Sequence, residues 1–295
     1  MKKIALLLIV LLLGAGEKAV TSDWWPFGDE EADTASASVK TSSTRGNRHS
    51  QSFYAVKKEM LEKIYYDHRE TLYCGAEFDK AKKIKEPQGF KLPNLKNVDF
   101  YVHKTTQEDL ERKAERMEWE HIVPAENFGK TFTEWSEGHK KCVYDSGKKF
   151  KGRGCAEQEN EEFRYMYTDM YNLYPSIGAV NYLRANFNFT KFGSKDKVKD
   201  LFGSCKMKIS HNKAEPRNKV KGLIARTYFY MEDTYPRYKV GEPMRGVLKA
   251  WSAQYPVTEW ECERAYRIEK VQGNANKKVK SACLEKGWYT NNVKN

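Results

Sequence analysis

The stretch MEWEHIVPAENFG, residues 117–129, sets Glu118, Glu120 and Glu126 with a tryptophan and His121 around a short apolar pair, and breaks at Pro124. EWEHIV alternates enough to read as a β-strand, and Pro124, which has no N–H to donate, ends it. Adjacent strand residues face opposite sides, so Glu120 and His121 can share a site only where the strand twists or ends, as Pro124 indicates. Neither the helical His-Glu-x-x-His signature of zinc proteases nor its inverted form is present. A Cys–His hydrolase would compete with the better use of every cysteine in a bridge. A third catalytic reading is metal-assisted phosphodiester hydrolysis. Glu120 is a hard oxygen ligand suited to Mg²⁺, an asparagine carbonyl elsewhere completes a sparse shell, and His121 takes the proton from an attacking water. The competing reading packs His121 in the core and turns Glu118 and Glu120 to solvent.

Working outward, Ser52 is placed to cap a helix in which Phe53, Val56, Met60 and Ile64 recur at helical spacing. TLYCGAEFD, 71–79, reads as strand or turn, VDFYVHK, 98–104, as a short strand, and the charged segment 106–116 as a solvated helix. Residues 129–158 form a Gly- and Lys-rich excursion. Glu161 to Leu173 reads as a helix stopped before Pro175, and Ser176 as the cap of a second helix leading to RANFNF at 184–189. Pro216 suits the first turn of a helix over 216–235, and a further helix covers 243–254. Thr258-x-x-Glu261 fits a capping box opening the last long helix, which Gly273 ends. The expected fold is α+β: a mostly helical single domain over residues 50–290 with a few short strands.

The 295 residues carry a formal charge of +12, which points to a polyanionic partner. Residues 1–20 read as a secretory signal: Lys2 and Lys3, an apolar run over 4–13, then Gly14, Ala15 and Gly16. The run is too short to span a bilayer comfortably, so no stable membrane insertion is expected. Residues 21–49 read as a disordered leader, with an acidic patch at Asp29, Glu30, Glu31 and Asp33 and an apolar exception, WWPF, at 24–27. Export gives the six cysteines a use as three disulfides. Cys142 and Cys155 are the obvious local pair, while Cys74, Cys205, Cys262 and Cys283 admit three pairings.

Several separated blocks together resemble the endonuclease I family: SFYAVKKEM, TLYCG, MEWEHIVPAENFG, DMYNLYPSIGAVNYLRANF, GLIARTYFYMEDTY and YPVTEWECERAYRIEKVQGNANKKV, in family order from about residue 52 to 283. The resemblance implies an embedded ββα-metal (His-Me finger) nuclease motif in a disulfide-stabilised domain. Such an enzyme is exported to the periplasm or medium, and a monomer is expected. It cuts single- and double-stranded DNA and RNA with little sequence preference. It uses a single Mg²⁺, or Mn²⁺ or Ca²⁺ in its place, and leaves 5′-phosphates. Carried over, Glu120 and Asn186 are metal ligands and His121 the general base. The separation of Asn186 from His121 exceeds what is usual in the family, and the excess falls in the Lys-rich region 144–165. Where the family has an arginine that contacts the scissile phosphate, GHKKC, 138–142, offers Lys140, or less clearly Lys141. CGA at 74–76 stands where CGC is common, and Tyr171 where a histidine is common. Lys141, Lys148, Lys149, Lys151 and Arg153 are candidate phosphate contacts. A different class of protein, an exported polyanion binder that kept the fold and lost catalysis, would bind nucleic acid without cutting it.

Overall fold

A computed structural model describes residues 46–290; the expected signal, the WWPF segment and most of the leader lie outside the described residues. The first helix, α1 (Phe53–Glu59), starts at Ser52, whose side chain accepts from Ala55 N as its position suggests, and runs into a π-helical turn over Met60–Ile64. The charged segment forms α2 (Gln107–Ala114), held by a capping box in which Thr106 and Asp109 bond reciprocally. Its helical face is not wholly solvated, since Leu110 is buried. Residues 98–104 form no strand. Tyr101 N donates to the Asn212 side chain rather than to a neighbouring ladder, and its ring stays exposed.

The deciding stretch is strand β1 (Met117–His121), followed by α3 (Ala125–Gly129). Next come α4 (Thr133–Ser136), α5 (Arg153–Glu159) and α6 (Glu161–Tyr167). The helix expected to reach Leu173 therefore stops at Tyr167, and DMYNLYPSI folds differently. Asp169 caps a 3₁₀ turn over Met170–Asn172, and β2 (Leu173–Ile177) pairs antiparallel with β1, His121 opposite Leu173 and Glu120 opposite Tyr174. Asn172 extends this pairing with its side chain: Val123 N donates to its Oδ1 at 2.8 Å, and its Nδ2 donates to Val123 O at 2.9 Å. Pro175 is tolerated because it faces Trp119 at a pair that exchanges no hydrogen bonds. Its carbonyl points outward and accepts from Leu72 N. Ser176 thus lies within the strand, and Ile177 precedes α7 (Gly178–Arg184).

Helix α7 folds back on both strands and on α2, giving a strand–strand–helix unit. Gly178 makes the close approach possible, since a Cβ there would lie 2.6 Å from Lys113 O. Three short strands form a second sheet in the order β3 (Asn188–Phe189), β5 (Lys213–Glu215), β4 (Lys208–Ser210). The C-terminal part is helical: α8 (Asn218–Thr234), α9 (Glu242–Gln254), α10 (Glu259–Gln272) and α11 (Lys277–Glu285). Pro216 precedes the α8 cap, Arg217, instead of entering the first turn. Thr258 caps α10 through Glu261 N, but the Glu261 carboxylate does not return the bond; it is spent on Arg226, at 2.7 and 2.6 Å. Gly273, at φ 85°, ends α10 in the left-handed conformation as expected.

The cysteines form three bridges, Cys74–Cys205, Cys142–Cys155 and Cys262–Cys283. Asp169 ties the 3₁₀ turn to α8 and α10. It is fully buried and accepts from Tyr230 and Tyr235 hydroxyls at 2.8 and 2.6 Å and from Gln272 Nε2 at 3.0 Å. Packing begins before residue 50: Asn47 is buried, with its amide bonded to Thr168 Oγ1 and Tyr165 O. Among the described residues no helix is long and apolar enough to cross a membrane.

Candidate active site

Both faces of β1 are covered; Glu118, Glu120 and His121 each have a partner, while the buried Trp119 Nε1 has none. The ring of His121 is 8% exposed and stacks on Tyr167, centroids 4.7 Å apart, and on Phe53 at 5.4 Å. Its Nε2 lies 2.7 Å from Tyr167 O. A carbonyl can only accept, so Nε2 carries the proton and Nδ1 keeps a lone pair. Burial, followed by the charge of Arg153, lowers the imidazole pKa from 6.5 to about 3, against the opposing pull of the Tyr167 bond. The ring is therefore neutral near pH 7, with its lone pair on Nδ1 and its affinity for a proton reduced.

Glu120 faces away from this ring cluster, and it is buried rather than solvent-facing, at 4% exposure. Its Oε1 accepts from Tyr73 Oη at 2.7 Å and from Arg184 Nη1 at 2.8 Å. Both bonds end on Oε1, which leaves Oε2 as the oxygen to offer a cation. Burial raises the carboxyl pKa, with Arg184 and Tyr73 opposing it. Arg184, in the last turn of α7, is itself fully buried. It also donates to His121 O at 2.9 Å and Ile122 O at 2.7 Å, so one guanidinium holds the backbone and the carboxylate of the strand that carries both candidate groups. For Arg184, burial acts to lower the pKa, but Tyr73, Glu120 and Tyr228 outweigh it and leave the value raised.

Beyond Arg184 the chain turns at Ala185, whose φ of 48° is unusual for a residue with a Cβ. Asn186 follows, exposed, its Nδ2 donating to Glu126 Oε2 at 2.6 Å. That bond engages the amide nitrogen and leaves Oδ1 as the acceptor. One carboxylate oxygen and one amide oxygen are the hard donors that suit a cation retaining most of its water, such as Mg²⁺, and not the nitrogen and sulfur set of zinc.

The basic candidates are dispersed. Arg153 opens α5 and lies over the Tyr167 ring at 5.4 Å, on the ring stack that holds His121. Lys140 is exposed on the turn after α4. Lys141 Nζ is 3.6 Å from Glu159 Oε2, and Lys151 Nζ donates to Ser136 O at 2.9 Å. Lys148 and Lys149 are exposed on the returning arm of a short hairpin. Glu118 is used structurally, accepting from Asn181 at 2.9 Å. Tyr171, the departure from the family pattern, is buried and donates to carbonyls of Asn274 and Ala265. Sequence reasoning missed Tyr73, Arg184, Phe53 and Tyr167. Arg184 stands two residues before Asn186 in RANF, and Tyr73 within TLYCG, but nothing in the string marks either as buried beside Glu120.

Similar proteins give the class. An extracellular deoxyribonuclease of Aeromonas hydrophila is 35% identical over 239 residues, covering 80% of this chain and 92% of that protein. A periplasmic deoxyribonuclease of the same organism is 35% identical over 237 residues, 79% of this chain and 87% of that one. Endonuclease-1 of Buchnera aphidicola subsp. Baizongia pistaciae is 34% identical over 246 residues, 82% and 88% respectively. The chain falls among hydrolytic nucleases. The Endonuclease I family model matches residues 52–283, and the chain belongs to the endonuclease I family.

Proposed function

We propose that this protein is an exported endonuclease that hydrolyses phosphodiester bonds of DNA and RNA with one divalent cation. The His121–Tyr167 bond carries the reading: it fixes an uncharged imidazole whose Nδ1 is the ring atom left to accept a proton. The unit of β1, β2 and α7 is read as the ββα-metal motif. In it Glu120 Oε2 and Asn186 Oδ1 would hold Mg²⁺, or Mn²⁺ or Ca²⁺ in its place. A cation bound there supplies charge to polarise the scissile phosphate and stabilise the leaving oxygen.

His121 Nδ1 takes the proton of the attacking water, and the Tyr167 carbonyl stabilises the imidazolium so formed. The P–O3′ bond breaks, leaving a 5′-phosphate. Arg153 is assigned to the scissile phosphate in preference to Lys140, because it lies 5.4 Å over the Tyr167 ring, which stacks on His121. A guanidinium also offers a two-pronged fork that an ammonium lacks. Lys141, Lys148, Lys149 and Lys151 supply counter-charge along the backbone, which is the same in every sequence. Plasmid nicking by the oxidised protein with Mg²⁺, and again with EDTA, tests the proposal. Loss of supercoiled DNA that EDTA stops supports it, and binding without cutting returns the protein to the class of polyanion binders.

A further inference from the structure

The Lys-rich excursion folds into a defined projection. Val143 and Lys149 form an antiparallel bridge, Tyr144 N donates to Lys148 O, and Phe150 N donates to Cys142 O at 2.9 Å. Gly147, at φ 80°, makes the turn. The Tyr144 and Phe150 rings pack at 4.7 Å and stiffen the arms. The Cys142–Cys155 bridge fastens the base to α5, the helix that opens with Arg153 beside the His121 ring stack. Lys148 and Lys149 are exposed on the returning arm, and Asp145 is the acid between Cys142 and Arg153. Lys141 and Lys151 are held by Glu159 and Ser136, so within the hairpin Lys148 and Lys149 are the lysines left to reach outward.

We infer that this hairpin is a finger that grips phosphates of double-stranded nucleic acid away from the scissile bond, and so favours long duplex over short strands. The inference rests on the nuclease reading above. Lys149 and Lys148 stand one and two residues beyond Phe150, about 3 and 7 Å along the arm at strand rise. Phosphates recur every ~3.4 Å along a strand, so contacts on the arm add to those at the scissile bond, and a short strand has fewer phosphates to offer them.

The test uses the oxidised full chain and a Lys148→Ala/Lys149→Ala variant, which changes only exposed side chains. Binding of a 30-base-pair duplex is followed by anisotropy in EDTA across a salt series. Losing two phosphate contacts should lower the slope of log K against log salt by about 2 and weaken binding on the order of ten-fold near 0.1 M salt. In Mg²⁺, the ratio of kcat/KM on that duplex to kcat/KM on a four-nucleotide single strand should fall. An unchanged salt slope overturns the finger, and so does an equal loss on both substrates. If the unaltered protein does not cut at all, the nuclease reading fails, while the binding series still decides the finger.

Discussion

Removal of the disulfides should unfold this domain, and the expected size follows from loop lengths. Cys74 and Cys205 are separated by 131 residues, Cys262 and Cys283 by 21, and Cys142 and Cys155 by 13. On the chain-entropy model the long link contributes about 5 kcal/mol and each short one about 3 kcal/mol. Together they are on the order of 10 kcal/mol, comparable with the whole stability of about 5–15 kcal/mol common to folded domains. The bridges also sit beside the site. Cys74 follows Tyr73, which bonds Glu120, and Cys155 shares the first turn of α5 with Arg153. Urea unfolding of oxidised protein, and of protein reduced and alkylated in denaturant and then refolded, measures the effect. The reduced chain should lose its cooperative transition and its cutting activity together. A reduced chain within about 2 kcal/mol of the oxidised one would refute the argument, because the links would then contribute far less than loop closure requires.

His121→Ala should lower cutting by about 10²–10⁴-fold while duplex binding in EDTA persists, since the loss is one of proton transfer; equal losses in both would deny the base role. Tyr73→Phe removes one of two bonds on Glu120 Oε1 and should raise the Mg²⁺ concentration needed for half-maximal effect several-fold, read both from activity and from thermal shift on adding the ion. His121 is held neutral with its pKa lowered from 6.5 to about 3 by burial and Arg153. The unfolded chain therefore takes up this proton first, and the stability contributed is complete above about 6.5 and lost as pH falls toward 3. In EDTA, Tm should fall across that window more steeply than for His121→Gln, and parallel curves would contradict the assignment. Gly178→Ala places a Cβ 2.6 Å from the Lys113 carbonyl and should cost about 1–3 kcal/mol in urea unfolding, with near-normal stability counting against the packing described.

The sequence showed β1, the Ser52 and Thr258 caps, the Gly273 stop and the Cys142–Cys155 pair, because each depends on residues a few positions apart, although the strand ends at His121, three residues before Pro124. It did not show β2. Pro175 argues against a strand, and it is harmless here only because its partner position forms no ladder bonds and its carbonyl turns to Leu72, facts set by register and by a distant loop. The same limit applies to the site. His121 was legible as a candidate base, but the carbonyl that fixes its tautomer comes from Tyr167, and the groups that hold Glu120 come from Tyr73 and Arg184. A polar residue on a strand can be satisfied by solvent or by burial with a partner, and local spacing does not distinguish these.

The basic excess can be divided by where the charges lie. Several cations are buried, yet most carry their own acid: Arg226 with Glu261, Arg267 with Asp67 and Glu263, Lys221 with Glu215, and Arg184 with Glu120. Arg264 differs. It has the Tyr65 and Tyr174 hydroxyls and the carbonyls of Met170 and Leu173, with the Tyr174 ring 3.7 Å away. These contacts fasten the start of β2, so this guanidinium serves the strand that positions β1. The paired interior charges cancel, which leaves the surplus chiefly on exposed lysines such as Lys140, Lys148 and Lys149. Charge placed outside is screened by salt and acts on encounter rate more than on the fold. On the proposed reading the two tasks fall to different residues: long-range attraction of a polyanion to lysines that packing does not need, and proton transfer to His121, a buried imidazole that is neutral near pH 7.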